Sequence, residues 1–214
     1  AGLLLNENRD RGNRALGPQC QLLWGQDRLT DSLCGVEFSL SPLSFYQVNR
    51  RQAEALYRQA ADYAGGGPEE ILLDLYCGAG TIGLAMARQF SRLIGVEIVP
   101  QAVEDAKENA RRNGVSNAQF LCADAGQAAQ RLLQEGLRPH AIVVDPPRKG
   151  LDRSARQAVL ALAPERLVYV SCDPATMARD IKELTQGGYR LPHARAFDLF
   201  PCPANVDTVC QLTR

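Results

Sequence analysis

Apolar residues fall along this chain in two alternating textures. Short apolar runs, "ILLDLY" from Ile71, "LIGVEI" from Leu93, "AQFLCAD" from Ala118, "AIVVDPP" from Ala141 and "LVYVSC" from Leu167, read as buried strands. Between them, apolar positions recur at helical spacing over residues 81–89, 100–113, 125–135, 154–163 and 174–186, several closed by glycine. Strand alternating with helix specifies an α/β domain with a mostly parallel sheet covered on both faces. A last run, "NVDTVCQLT" over residues 205–213, reads as a strand with no helix after it.

The first third of the chain is patterned differently. Residues 44–70, "SFYQVNRRQAEALYRQAADYAGGGPEE", predict a long linking helix that ends in three glycines and a proline and leads into the sheet domain of residues 71–214. In residues 1–43, short apolar patches such as "CGVEFSLSP" are broken by Gly, Pro, Asp and Asn, which predicts β-hairpins. The chain opens at Ala1 rather than methionine, and its early strands have no obvious partners, so a fragment of a longer protein is expected.

Composition narrows the class. Hydrophobic residues at 45% and charged residues at 22% describe an ordinary globular chain of 214 residues, long enough for one sizeable core. The 24 basic and 24 acidic residues cancel, which argues against a surface wholly committed to a polyanion and leaves room for a local basic patch. No apolar run reaches the roughly 18–20 residues that span a bilayer, and the stretch from Ala1 lacks the basic-then-apolar pattern of a secretion signal, so the cytoplasm is the expected address. Seven cysteines without a Cys-x-x-Cys pair predict neither a disulfide framework nor a zinc site.

The candidate chemistry sits where strands end. "YCGAGTIG" places Gly78 and Gly80 between the first strand and its helix, where a tight turn lets backbone and the following Thr81 approach a ligand. With Gly83 the spacing also satisfies a dinucleotide pattern, so glycines alone leave NAD and a methyl donor equally open. Glu97 closes the second strand about 20 residues on, suited to the ribose hydroxyls of an adenosine, and Asp124 closes the third, suited to the adenine edge. "VVDPPRKG" then puts Asp145 and two prolines at the fourth strand end. Two fixed backbones without N–H donors serve no general need of a nicotinamide site, and the motif resembles the Asp/Asn-Pro-Pro loop that holds a planar acceptor in nucleobase methyltransferases. Arg148 and Lys149 add charge for phosphate. Cys172, at the end of the fifth strand, is placed either as a nucleophile or as a buried structural thiol.

The blocks "SFYQVN", "LLDLYCGAGTIGL", "GVE", "VVDPPRKG", "YVSCDPATMARD" and "FDLFPCPANVDTV", in this order, resemble the motif series of the RNA uracil-5-methyltransferases. The resemblance covers residues 44–211. It implies a class I, Rossmann-like methyltransferase fold with a seven-stranded sheet, S-adenosylmethionine as donor, and ribosomal or transfer RNA as partner, with no protein partner and no metal in this part. It also implies an N-terminal RNA-binding part, often carrying an iron-sulfur cluster, outside these residues, and makes residues 1–43 a piece of the RNA-facing segment. Carried over, the donor-binding positions fall on Gln47, Tyr76, Gly78, Gly80, Thr81, Glu97, Asp124 and Asp145. Pro146, Arg148 and Arg179 fall to the RNA, and Cys172 takes the place of the nucleophile.

The family chemistry explains the thiol. Uracil C5 is a poor nucleophile until a thiolate adds at C6; after methyl transfer a base must remove the C5 proton. The family's glutamate base falls here on Asp207, its histidine on Asn205, and the asparagine after the nucleophile on Asp173. Aspartate withdraws a carboxylate by roughly 1–1.5 Å relative to glutamate. Asp173 is expected to raise the Cys172 pKa unless Arg148 or Arg179 offsets it. Two alternatives stay open: a donor-binding module inactive on its own, and a methyltransferase acting on another nucleobase.

Overall fold

The structure is a computed structural model that describes residues 1–9, 16, 17, 19–200 and 206–214. Its centre is a seven-stranded sheet built from β5 (Ile71–Leu75), β6 (Arg92–Glu97), β7 (Ala118–Cys122), β8 (Ala141–Val144), β9 (Arg166–Ser171), β10 (Arg190–Phe197) and β11 (Asp207–Thr213). The order across the sheet is β10-β11-β9-β8-β5-β6-β7. The five strands from β9 to β7 run parallel, and β11 and β10 are antiparallel.

Continuous apolar strands demand cover on both faces, and successive side chains alternate between them. Leu72, Leu93, Val143 and Val168 point to one layer, formed by α1 (Arg50–Ala64), α2 (Thr81–Met86) and α3 (Pro100–Arg112). Leu73, Ile94, Ile142 and Leu167 point to the other, formed by α4 (Ala125–Gln134), α5 (Arg153–Leu162) and α6 (Pro174–Gln186). Helix α1 starts at Asn49, whose side chain accepts the Gln52 N–H, and ends at Gly65. It is shorter than the 44–70 segment and is a packed layer of the sandwich, burying Ala53, Leu56, Tyr57 and Ala60. The 81–89 helix breaks after Met86 into a single 3₁₀ turn.

One strand of the sheet, β10, has no counterpart in the sequence reading. It is almost wholly exposed, and Pro192 sits within its shift in register against β11, so it lacks the buried alternation that marks a strand. The predicted hairpins are present as β1 (Gly2–Asn6) with β2 (Cys20–Gly25), and β3 (Leu29–Leu33) with β4 (Val36–Leu40). Cys34 and Gly35, at φ 52° and 77°, form the two-residue turn of the second. Among the described residues, no helix is long and apolar enough to cross a membrane.

Candidate active site

The carboxyl ends of the parallel strands open into one cleft of about 690 Å³. At the end of β5 the chain turns sharply: Tyr76, Gly78 and Gly80 all have positive φ, 67°, 54° and 81°. Gly80 N–H closes the turn on the Cys77 carbonyl at 2.8 Å, and its own carbonyl receives Leu84 N–H as α2 begins. Positive φ is costly for a tyrosine, and it turns Tyr76 into the wall of the cleft. A β-carbon on Gly78 would meet no atom within 4 Å, so this glycine leaves open space beside the turn.

Glu97 and Asp124 stand at neighbouring strand ends and line the same cleft. Neither is a merely solvated acid. Glu97 receives Gly78 N–H at 3.0 Å and Val99 N–H at 2.8 Å, which ties β6 to the glycine turn. Asp124 caps α4 through Gln127 N–H at 3.1 Å. Gln47 reaches the cleft from the chain before α1; its Oε1 is buried and without a partner in the described structure. A buried acceptor left unpaired is costly, and the residue that carries it is part of the cleft lining.

Asp145, Pro146, Arg148, Cys172 and Asp207 line the same cleft, as does Thr81 at the start of α2. Burial, and then the nearby Asp207 charge, push the Asp145 carboxyl up to about 7. Burial also raises Asp207, against its own backbone N–H and Arg148, which pull it down. The Cys172 thiol lies above its ordinary value of 9.0: burial raises it first, then Asp207 and Asp145, while Arg148 draws it back. The expected culprit, Asp173, is engaged elsewhere. Its carboxylate caps α6, receiving Ala175 and Thr176 N–H at 3.0 Å each.

Eleven of the thirteen candidate residues thus line this cleft; Gly80 lies within the turn without lining it, and Arg179 stands apart. Its guanidinium binds Asp180 and the Lys149 carbonyl and lines a neighbouring hollow with Arg156, so it braces the Asp-Pro-Pro loop from behind. Asn205 lies outside the described residues. Sequence reading missed Phe45, Phe200 and Asp74, which also line the cleft. Asp74 carried a signal, being the one carboxylate inside the apolar run "ILLDL". It is 1% exposed and receives Gly83 N–H at 3.0 Å. Burial, then Asp145 and Glu97, hold its carboxyl well above the usual range, with the Gly83 bond opposing.

An acid-lined cavity with an unpaired amide oxygen, a glycine turn open to ligand and carboxylates at successive strand ends fits a cationic, hydroxyl-bearing adenosyl ligand. Comparison with known proteins agrees. The tRNA (uracil-5-)-methyltransferase family matches residues 35–214. An uncharacterized RNA methyltransferase of Halalkalibacterium halodurans is 42% identical over 210 residues, covering 98% of this chain and 46% of that protein. One from Clostridium tetani is 41% identical over 211 residues, covering 99% and 46%. The chain therefore spans about half the length of the curated relatives it matches. Among solved structures, the Pyrococcus abyssi tRNA (uracil-54, C5)-methyltransferase in complex with S-adenosyl-L-homocysteine superposes with a TM-score of 0.82 at 30% identity, covering 99% of this chain and 50% of that one. A methyltransferase from Agrobacterium tumefaciens, at 16% identity and a TM-score of 0.67, shares the fold over 91% of this chain and 73% of its own.

Proposed function

The chain belongs to the tRNA (uracil-5-)-methyltransferase family, and on that premise we propose that it is the catalytic part of an RNA uracil-C5 methyltransferase. S-adenosylmethionine supplies the methyl group as an electrophilic sulfonium substituent. Gln47, Glu97 and Asp124 hold and orient that donor, with the glycine turn against it. Cys172 adds as thiolate to C6 of a uridine in transfer or ribosomal RNA, forming the C6–S bond and placing the electron pair at C5. Once C5 carries the methyl group, Asp207 takes the C5 proton and the C6–S bond breaks, which returns the thiolate. Pro146 and Arg148 hold the uridine and its phosphate.

The observation that carries this reading is the shared cleft: the Cys172 thiol and the Asp207 carboxyl line the same cavity as Gln47, Glu97 and Asp124. RNA containing 5-fluorouridine tests it. Fluorine at C5 cannot leave as a proton, so with donor present a covalent adduct through Cys172 is expected on a denaturing gel. Donor binding with no adduct, even from a full-length protein, would favour a donor-binding module without turnover. Label at another base atom would favour a different nucleobase.

A further inference from the structure

Helix α3 and its C-cap carry Asp105, Asn109 and Asn113 at four-residue spacing, and all three reach the segment around the β3–β4 hairpin. Asp105 is 1% exposed and receives Arg28 at 2.5 Å, Ser44 Oγ at 2.5 Å and Ser41 N–H at 3.1 Å. Asn113 receives Glu37 N–H at 2.8 Å and donates to the Glu37 carbonyl at 2.6 Å. Asn109, between them, is fully buried and does something the others do not. Its Oδ1 receives Ser39 N–H at 2.7 Å, while its Nδ2 donates to the Ala79 carbonyl at 3.1 Å.

Ala79 stands between Gly78 and Gly80 in the turn that lines the cleft. One carboxamide thus joins a strand of the N-terminal hairpin to the glycine turn. Both ends are backbone groups buried away from water, and neither is replaced cheaply. Ala106, one turn from Asn109, adds a steric link: its β-carbon would lie 3.3 Å from a β-carbon on Gly80. We propose that Asn109 is a positioning residue that couples docking of the β3–β4 hairpin to the conformation of the glycine turn. A ligand that orders the turn then orders the hairpin, and hairpin docking strengthens that ligand by the same factor. The inference rests on the proposed reading of the cleft as an adenosyl-donor site.

Amide exchange of the wild-type chain, with and without saturating S-adenosylhomocysteine, tests it, binding being verified by calorimetry. The Ser39 amide is expected to exchange about fivefold more slowly or better with ligand, a typical coupling factor, while amides of the β1–β2 hairpin do not follow. Asn109→Asp keeps an acceptor for Ser39 but sets a carboxylate against the Ala79 carbonyl. It is expected to weaken S-adenosylhomocysteine by about tenfold or more and to abolish the response at Ser39. If that variant does not fold, the wild-type exchange decides alone. Binding that leaves Ser39 unchanged overturns the coupling and spares the functional reading. Absence of binding to the wild type overturns both.

Discussion

Asp207 and Cys172 both lie directly beyond the last rung of the β9–β11 ladder. The antiparallel register pairs Val170 with Val209 and Ser171 with Thr208, so the two residues lie one position beyond that end, where the Asp207 charge acts on the thiol. Both reach the same cleft. The proposed base role of Asp207 predicts that Asp207→Asn leaves addition and methyl transfer possible but stalls elimination, since the proton leaves last. Loss of a positioned base slows a step by roughly 10²–10⁴-fold, so a methylated RNA–protein adduct is expected to accumulate on a denaturing gel. Cys172→Ala gives none. Wild-type turnover by Asp207→Asn without adduct would assign the proton to another group.

The same pair predicts the pH behaviour of the thiol. Burial, Asp207 and Asp145 raise the Cys172 pKa, and Arg148 lowers it. The pH curve for alkylation of Cys172 by iodoacetamide, read by peptide mass, is therefore expected to have its inflection above 9.0. Asp207→Asn removes an opposing negative charge and shifts the curve to lower pH. Arg148→Ala removes a supporting cation and shifts it to higher pH. Coincident curves for all three proteins would show that these charges do not act on the thiol.

Asp145 makes a prediction about the ligand-free protein. Its carboxyl is pushed up from 3.8 to about 7, chiefly by burial and then by Asp207. Below 3.8 it is protonated folded and unfolded alike, and its favourable contribution is fully present. As pH rises toward 7 the unfolded chain loses the proton while the folded one keeps it, and the contribution is lost. Asp145→Asn is expected to raise Tm by a few degrees at pH 8 and to change it little at pH 4, at roughly 2–4 °C per kcal/mol for a chain of this size. An equal shift at both pH values would place the effect in packing rather than charge.

How much of this was legible follows from what periodicity can report. Strands β5 to β9 and the helices between them are buried on known faces, so their apolar period survives in the sequence. Strand β10 is an exposed edge, paired on one side, and its residues carry no such record. Site residues at strand ends were legible because topology alone brings those ends together. Partners set by tertiary contact were not. The Asp-Pro that opens α6 is an N-cap signal, and Asp173 does cap that helix, but nothing in "DPATMARD" indicates that Asp180 would be buried and receive Tyr169 Oη, Leu151 N–H and Arg156. Arg179 binds into that hub, and so it braces the loop instead of lining the cleft.

Gly83 gives the last prediction, and its reason is close packing of helix on strand, the part that the third glycine of a dinucleotide pattern also plays. A β-carbon there would lie 2.6 Å from Asp74 Oδ2 and 3.1 Å from a Leu93 methyl carbon. The missing side chain lets α2 settle onto β5, so that Gly83 N–H reaches the buried Asp74 at 3.0 Å. Its φ is ordinary, and helix propensity alone would make alanine better by about 1 kcal/mol. Overpacking against a fixed carboxylate costs about 1–3 kcal/mol, so Gly83→Ala is expected to lower Tm despite that gain. Shortening the partner relieves the contact. In an Asp74→Ala background the same substitution is therefore expected to cost less than it does alone, a coupling that thermal unfolding of the four proteins measures directly. An increase in Tm for Gly83→Ala alone would show that Asp74 and Leu93 yield freely, and that close helix–strand packing is not what holds glycine at this position.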